Sequence, residues 1–424
     1  MCELLDNACE DPMFDTFRAQ TLLLQCNPQL YSEAKKTFKN KIFHYINIGQ
    51  YREAMLYGEL FSFDILNAEE QRNKIDLEAL FYYGIASIHC DSQRRAIEIF
   101  TYIKNNAKKN SLLFFRASAE LLNNKYSRFQ IDNTLSEAIA LKYAISSSLK
   151  RDADENSLDT HQLRIAYSTC QNRLMMIYFL LDDYENATSI YNNFCAYHSS
   201  IPSCIFTDKY DSMLLEWKMD YARGSALYDF RNAVELDEYC YNNFSENLNF
   251  RRKVLCKMDM IFLQAIENRN YDYAISELIL CKQNLVEKGI VSENMKASIK
   301  IAYCRLMKYV SIPELNNVVL LAPFVEEIYS EVFCTQLETR LIVQGRTGYI
   351  LNNLLAVLHL IKGEISCATE QLNHNLRLIK SCGIEYRRII QHNLQHLYYI
   401  KKIDWYHSNT VLYPDTYYLD IRVW

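Results

Sequence analysis

Apolar side chains recur at three- and four-residue spacing along most of the chain, the period of a helix with one buried face. The clearest stretch runs from Leu77 to Ile103. Leu80, Tyr83 and Gly84 share one predicted helix, Asp91-Ser92-Gln93 breaks it, and Ala96, Phe100 and Ile103 share a second. Small residues there let two helices approach, and large ones fill the seam. Looser copies surround it. Phe38, Ile42 and Tyr45 precede a Gly49-Gln50-Tyr51 turn and then Ala54 and Phe61; Leu112 to Leu122 precede Leu135 to Leu149, with Ala138 as the small residue. Leu174, Met175 and Tyr178 lead through Asp182-Asp183-Tyr184 to Ala187, Tyr191 and Phe194. Tyr210, Met213, Leu214 and Trp217 lead to Ala226, Phe230 and Ala233; Met258, Ile261, Phe262 and Ala265 lead to Ala274 and Leu278. Asn352, Leu355, Ala356 and His359 lead through Gly363 to Ala368 and Leu372. Residues 292 to 340 are helical in pattern but poor in these marks, and Pro313 and Pro323 are expected to interrupt them.

The L-x2-Y-G…A-x3-F spacing of the Leu80 unit is that of a tetratricopeptide (TPR) repeat. Taking Ala54, Ala96, Ala138, Ala187, Ala226, Ala274 and Ala368 as the small positions gives steps of 42, 42, 49, 39, 48 and 94, so a degenerate repeat is expected near residue 320. Where Gly84 stands, later units carry Met175, Leu214 and Phe262, which makes the array divergent. The expected fold is all-α: a TPR-like α-solenoid of about eight irregular helix pairs with a C-terminal capping helix from about Ile384 to Lys401. Residues 1–30 read as an N-terminal leader, 31–403 as the helical-repeat domain and 404–424 as an aromatic tail.

Composition supports helices. Gly and Pro number 9 and 6, where average usage would give roughly 50 together. The 32 Tyr suit half-buried seams or protein interfaces, having an apolar body and a polar tip. The net charge of −5 comes from mixed signs without a basic stripe, which gives nucleic acid no footprint. The 14 Cys include no C-x-x-C, so zinc-ribbon and thioredoxin-type readings lack support. The first residues carry acids where a signal peptide needs positive charge, and no apolar run approaches ~20 residues. A soluble intracellular protein is the expectation, without membrane insertion.

No motif in the sequence is complete enough to carry chemistry. His392 and His396 lack the Glu of an H-E-x-x-H motif, Asp152, Asp154 and Asn156 lack the Gly and Glu that complete a calcium loop, and Gly345 to Gly348 is no phosphate loop. Cys170, Cys195 and Cys204 read as small core hydrophobes. No catalytic, cofactor-binding or metal residues are expected, and no cofactor. In a TPR-like array the first helix of each pair lines the binding face. That places Tyr82, Ile85, Asn172, Arg173, Met176, Asn353, Leu354 and Val357 as the protein-binding residues, either facing a partner helix or buried by the array itself. Lys39 and Asn353 match single positions of a carboxylate clamp.

Two blocks carry a more specific resemblance. One runs from His161 to Pro202 and includes Arg173 to Tyr178, Leu180 to Tyr184, Ala187, Ile190 and Tyr191. The other includes Asn352 to Val357, Leu360, Lys362-Gly363 and Ala368, then Tyr386, His392-Asn393-Leu394 and Leu397-Tyr398. In order and separation they resemble the TPR-containing twelfth subunits of the TRAPP membrane-trafficking complex. The resemblance implies a non-catalytic subunit of a tether acting in endoplasmic reticulum to Golgi transport. Its partners would be the large TRAPP subunits, and membranes would be met peripherally, through the complex. The rival readings are a scaffold of another assembly, of the cohesin-loader or anaphase-promoting-complex type, and an enzyme on a helical solenoid.

Overall fold

The computed structural model describes residues 28–380, apart from 68–75, 91, 128–132, 151–156, 182, 200–206, 227, 246–248, 289, 313–317, 339–345 and 363. The expected capping helix, the aromatic tail and nearly all of the leader lie outside the described residues. Among those described, every regular element is a helix, and there are sixteen. They are α1 (Pro28–Asn47), α2 (Tyr51–Asn67), α3 (Leu77–His89), α4 (Gln93–Asn106), α5 (Leu112–Ser127), α6 (Thr134–Leu149), α7 (Leu158–Leu180) and α8 (Tyr184–Ser199). Then follow α9 (Thr207–Ser225), α10 (Phe230–Asn243), α11 (Phe250–Asn268), α12 (Tyr271–Glu287), α13 (Val291–Val310), α14 (Val318–Glu338), α15 (Arg346–Ile361) and α16 (Ile365–Lys380). Odd helices are the first members of pairs and even helices the second, which gives the eight pairs of an α-solenoid.

Two compact units divide the chain, one of residues up to 124 with 141–167, the other of 125–140 with 168 onward. In the first, α1 packs on α2, α2 on α3 and α3 on α4, and α1 also touches α3. In the second, each helix from α8 to α16 touches its predecessor or successor, and the first helices α11, α13 and α15 touch in series. Such first-helix to first-helix contact is what stacking of hairpins produces.

Local chemistry sets the boundaries. Asp76, Asp183 and Asp229 each precede a helix and accept a bond from the backbone N–H three residues on, at 3.2, 3.1 and 3.2 Å. Gly49 ends α1 with φ of 76°, the left-handed conformation that costs glycine least. Pro323 does not stop α14, contrary to expectation; it is exposed, and lies in the second turn of the helix.

The seam is built as the spacing predicts. Leu80, Tyr83, Ala96, Phe100 and Ile103 are all fully buried, and a Cβ added to Gly84 would lie 2.7 Å from the Phe100 ring. Ala54, Ala96, Ala187, Ala274 and Ala368 are buried too, each the fourth residue of its second helix. One register needs correction. Ala226 is buried but lies in the turn after α9; the fourth residue of α10 is Ala233, also buried. Ala226-x3-Phe230 imitates the motif because its spacing repeats that of Ala233-x3-Asp237. The stretch poor in repeat marks is a true helix pair, α13 and α14, joined by Arg305 to Glu331 at 2.5 Å. Its small residue is Ala322, fifth in α14 as Ala138 is fifth in α6. Steps between small positions then fall between 41 and 49 residues throughout.

Candidate functional site

The second unit holds a feature that the pattern does not announce: charged side chains inside it. Asp259 of α11 is 1% exposed and accepts from Arg223 Nε of α9 and Lys300 Nζ of α13, each at 2.8 Å. Arg223 also lies 3.7 Å from Asp220 on its own helix, and Asp220 lies 3.6 Å from Arg173 of α7. A parallel rung joins Arg251 of α11 to Glu293 of α13 at 2.9 Å, with Lys296 at 3.6 Å. Four successive first helices are thus tied by opposite charges. The Lys300 ammonium also stands 4.9 Å from the Phe262 ring, a cation–π contact.

Burial sets the titration of each member. It would raise the Asp259 carboxyl, but Lys300 and Arg223 outweigh it and hold Asp259 below the usual carboxylate range. Burial would equally lower Arg223, yet Asp259 and Asp220 keep it raised. For Lys300 burial wins over Asp259 and brings the ammonium down to about 8. Asp237 of α10 completes the cluster. It is fully buried, and neither carboxylate oxygen has a hydrogen-bond partner among the described residues. Burial lifts its pKa well above the usual value, the Asp259 charge adds to that, and Arg223 opposes it. Buried thiols line the same region, and Cys256, beside Cys240, is pushed up by that contact and by burial.

The buried Asp237 carboxyl makes stability depend on pH. An unfolded Asp releases its proton near pH 4, whereas folded Asp237 keeps it to higher pH. The folded state therefore binds more protons over that interval, and stability falls as pH rises through it. Asp237→Asn is expected to remove this slope and to stabilise the protein at pH 7. Urea midpoints of parent and variant between pH 4.5 and 8 measure both effects.

Most of the expected binding residues lie inside the fold. Asn172, Met176, Asn353, Leu354 and Val357 are at most 4% exposed, so neighbouring helices of this chain already cover them. Tyr82 is half-buried, with the Phe43 ring edge-on at 5.0 Å and the Arg116 guanidinium at 5.3 Å. Ile85 packs against the core of the first unit. Arg173 alone among the eight joins the ionic network. The clamp does not assemble: Lys39 pairs with Asp76 at the start of α3, and Asn353 is buried. Cys170 is buried, its thiol 3.3 Å from the Ala138 carbonyl oxygen, as a core residue should be. Tyr side chains fill seams: Tyr45 stacks on Tyr57, and Tyr191 on Tyr221 at 4.0 Å.

The network itself was hidden by the Ala226 register. With Ala233 as the small residue, Asp237 falls four residues later, where Phe100 stands in the α4 unit. An acid at that aromatic position, with Asp259 between Met258 and Met260, is the signal that could have found it. No family model and no curated protein matches the chain. No helix among the described residues is long and apolar enough to cross a membrane.

Proposed function

We propose that this chain is a non-catalytic protein-binding scaffold, a subunit of a TRAPP-type vesicle-tethering complex in endoplasmic reticulum to Golgi transport. The observation that carries the scaffold reading is the succession of helical hairpins, whose converging charged groups bind one another in a water-poor interior. Asp259 holds two cations at 2.8 Å, so these groups specify packing and leave the outer surface for partners. The TRAPP assignment rests on the residue blocks around Arg173 and Asn353. Those partners are the large TRAPP subunits, and the protein is cytoplasmic and peripheral at membranes through the complex.

Affinity purification of the tagged full chain from its native cells, with mass spectrometry, tests this. Recovery of TRAPP subunits at stoichiometric abundance is the expected result. Recovery of cohesin-loader or anaphase-promoting-complex components would transfer the scaffold to another assembly. Activity on a small substrate with no stable partner would end the scaffold reading.

A further inference from the structure

The turn between α15 and α16 brings together an imidazole, a carboxylate and a thiol. His359 is near the end of α15, Glu364 immediately precedes α16, and Cys367 lies in its first turn. One ligand atom from each lies within 4.8 Å of the others. We propose that these three side chains form a site for a divalent transition-metal ion, Zn2+ by the chemistry of its donors.

The donor set suits zinc: nitrogen, oxygen and thiolate sulfur together favour a borderline-soft ion over calcium or magnesium. Zinc bonds of about 2.0–2.3 Å require donors roughly 3–4 Å apart, somewhat closer than the 4.8 Å that spans the three ligand atoms here. The site has a fixed wall and an open side. His359 is buried and its ring meets the Tyr329 ring edge-on at 4.8 Å, while Cys367 is exposed. The backbone N–H of Glu364 donates to the His359 carbonyl at 2.8 Å, which closes the turn.

The outer contacts fit as well. His359 Nδ1 lies 2.6 Å from Glu364 Oε2, the contact that an ion would replace. Lys362 Nζ takes the other oxygen, Oε1, at 3.0 Å and also binds Glu326 Oε2 at 2.7 Å. Lys362 therefore orients the carboxylate and leaves Oε2 for the metal, as outer-sphere partners do elsewhere. Glu326, Glu364 and a Cys367 thiolate against Lys362 leave two negative charges for a divalent ion to neutralise. On binding, the Cys367 thiol gives its proton to solvent. Three protein ligands leave a fourth position for water.

Cobalt is the probe, because Co2+ bound to thiolate shows a charge-transfer absorption. The full chain, reduced and freed of metal by a chelator, is titrated with Co2+ and then with Zn2+. One equivalent should develop the band, and Zn2+ should abolish it. Cys367→Ser should lose the band and Glu364→Gln should weaken binding at least tenfold, while Cys334→Ser, at another exposed cysteine, should behave as the parent. Since Cys367 is exposed, its Ser variant should fold, and circular dichroism checks that it does. Absence of the band in the parent, or its survival in Cys367→Ser, overturns the site and leaves an ordinary ion pair at the turn.

Discussion

Asp259→Ala is expected to destabilise the second unit by about 3–5 kcal/mol, the cost of stranding buried charge. The residue is 1% exposed and holds both Arg223, 7% exposed, and Lys300, which is fully buried. Its loss leaves two cations facing each other without the carboxylate between them. Arg223 retains Asp220 at 3.7 Å, a poorer partner. Lys300→Met should cost less, since it removes one buried charge and leaves the Asp259 pair with Arg223 intact. Combining Asp259→Leu with Lys300→Met should recover much of the loss, because apolar replacements for a buried ion pair are often neutral. Urea unfolding of the set measures these differences. An Asp259→Ala loss below about 1 kcal/mol, the value of an exposed ion pair, would contradict a buried network.

Gly84→Ala carries the second large effect and sets two quantities against each other. Alanine in a helix interior is favoured over glycine by about 0.8–1 kcal/mol. The added Cβ, however, would sit 2.7 Å from two atoms of the Phe100 ring and 3.3 Å from Ile99. Phe100 and Ile99 are fully buried, so neither can swing away without displacing its own neighbours. Overpacking of this kind costs about 1–3 kcal/mol and wins, giving a net loss. Gly84→Trp should lose far more, by prying α3 from α4. A thermal melt of Gly84→Ala at or above the parent would mean that the two helices are not in contact at that point.

The helical-hairpin fold was legible because small and aromatic residues at fixed spacing carry a steric message of their own. Gly84 and Phe100 were assigned to the two helices of one unit from the spacing, and the structure brings them into contact. The spacing failed where two candidates shared it: Ala226-x3-Phe230 looks apolar and regular, while the true pair, Ala233 and Asp237, looks polar and wrong. Helical periodicity assigns residues to a common face but does not say what covers that face, so Asn172, Met176, Leu354 and Val357 could be read as facing a partner helix or as covered by the array itself, and their burial favours the second. Ala322 was obscured by the adjacent Pro323, which lies in the second turn of the helix. His359, Glu364 and Cys367 belong to no familiar spacing, because their approach depends on the turn that separates two helices.

The claim beneath all of this is that hairpins nest through a small residue one turn into each second helix. Equilibrium unfolding of Ala274→Trp beside Tyr273→Trp tests it within a single helix, α12, where Ala274 is fully buried and Tyr273 is 56% exposed. Overpacking at residue 274 should cost more than about 2 kcal/mol, and the change at 273 should stay within about 0.5 kcal/mol of the parent. Equal stability of the two variants would contradict it.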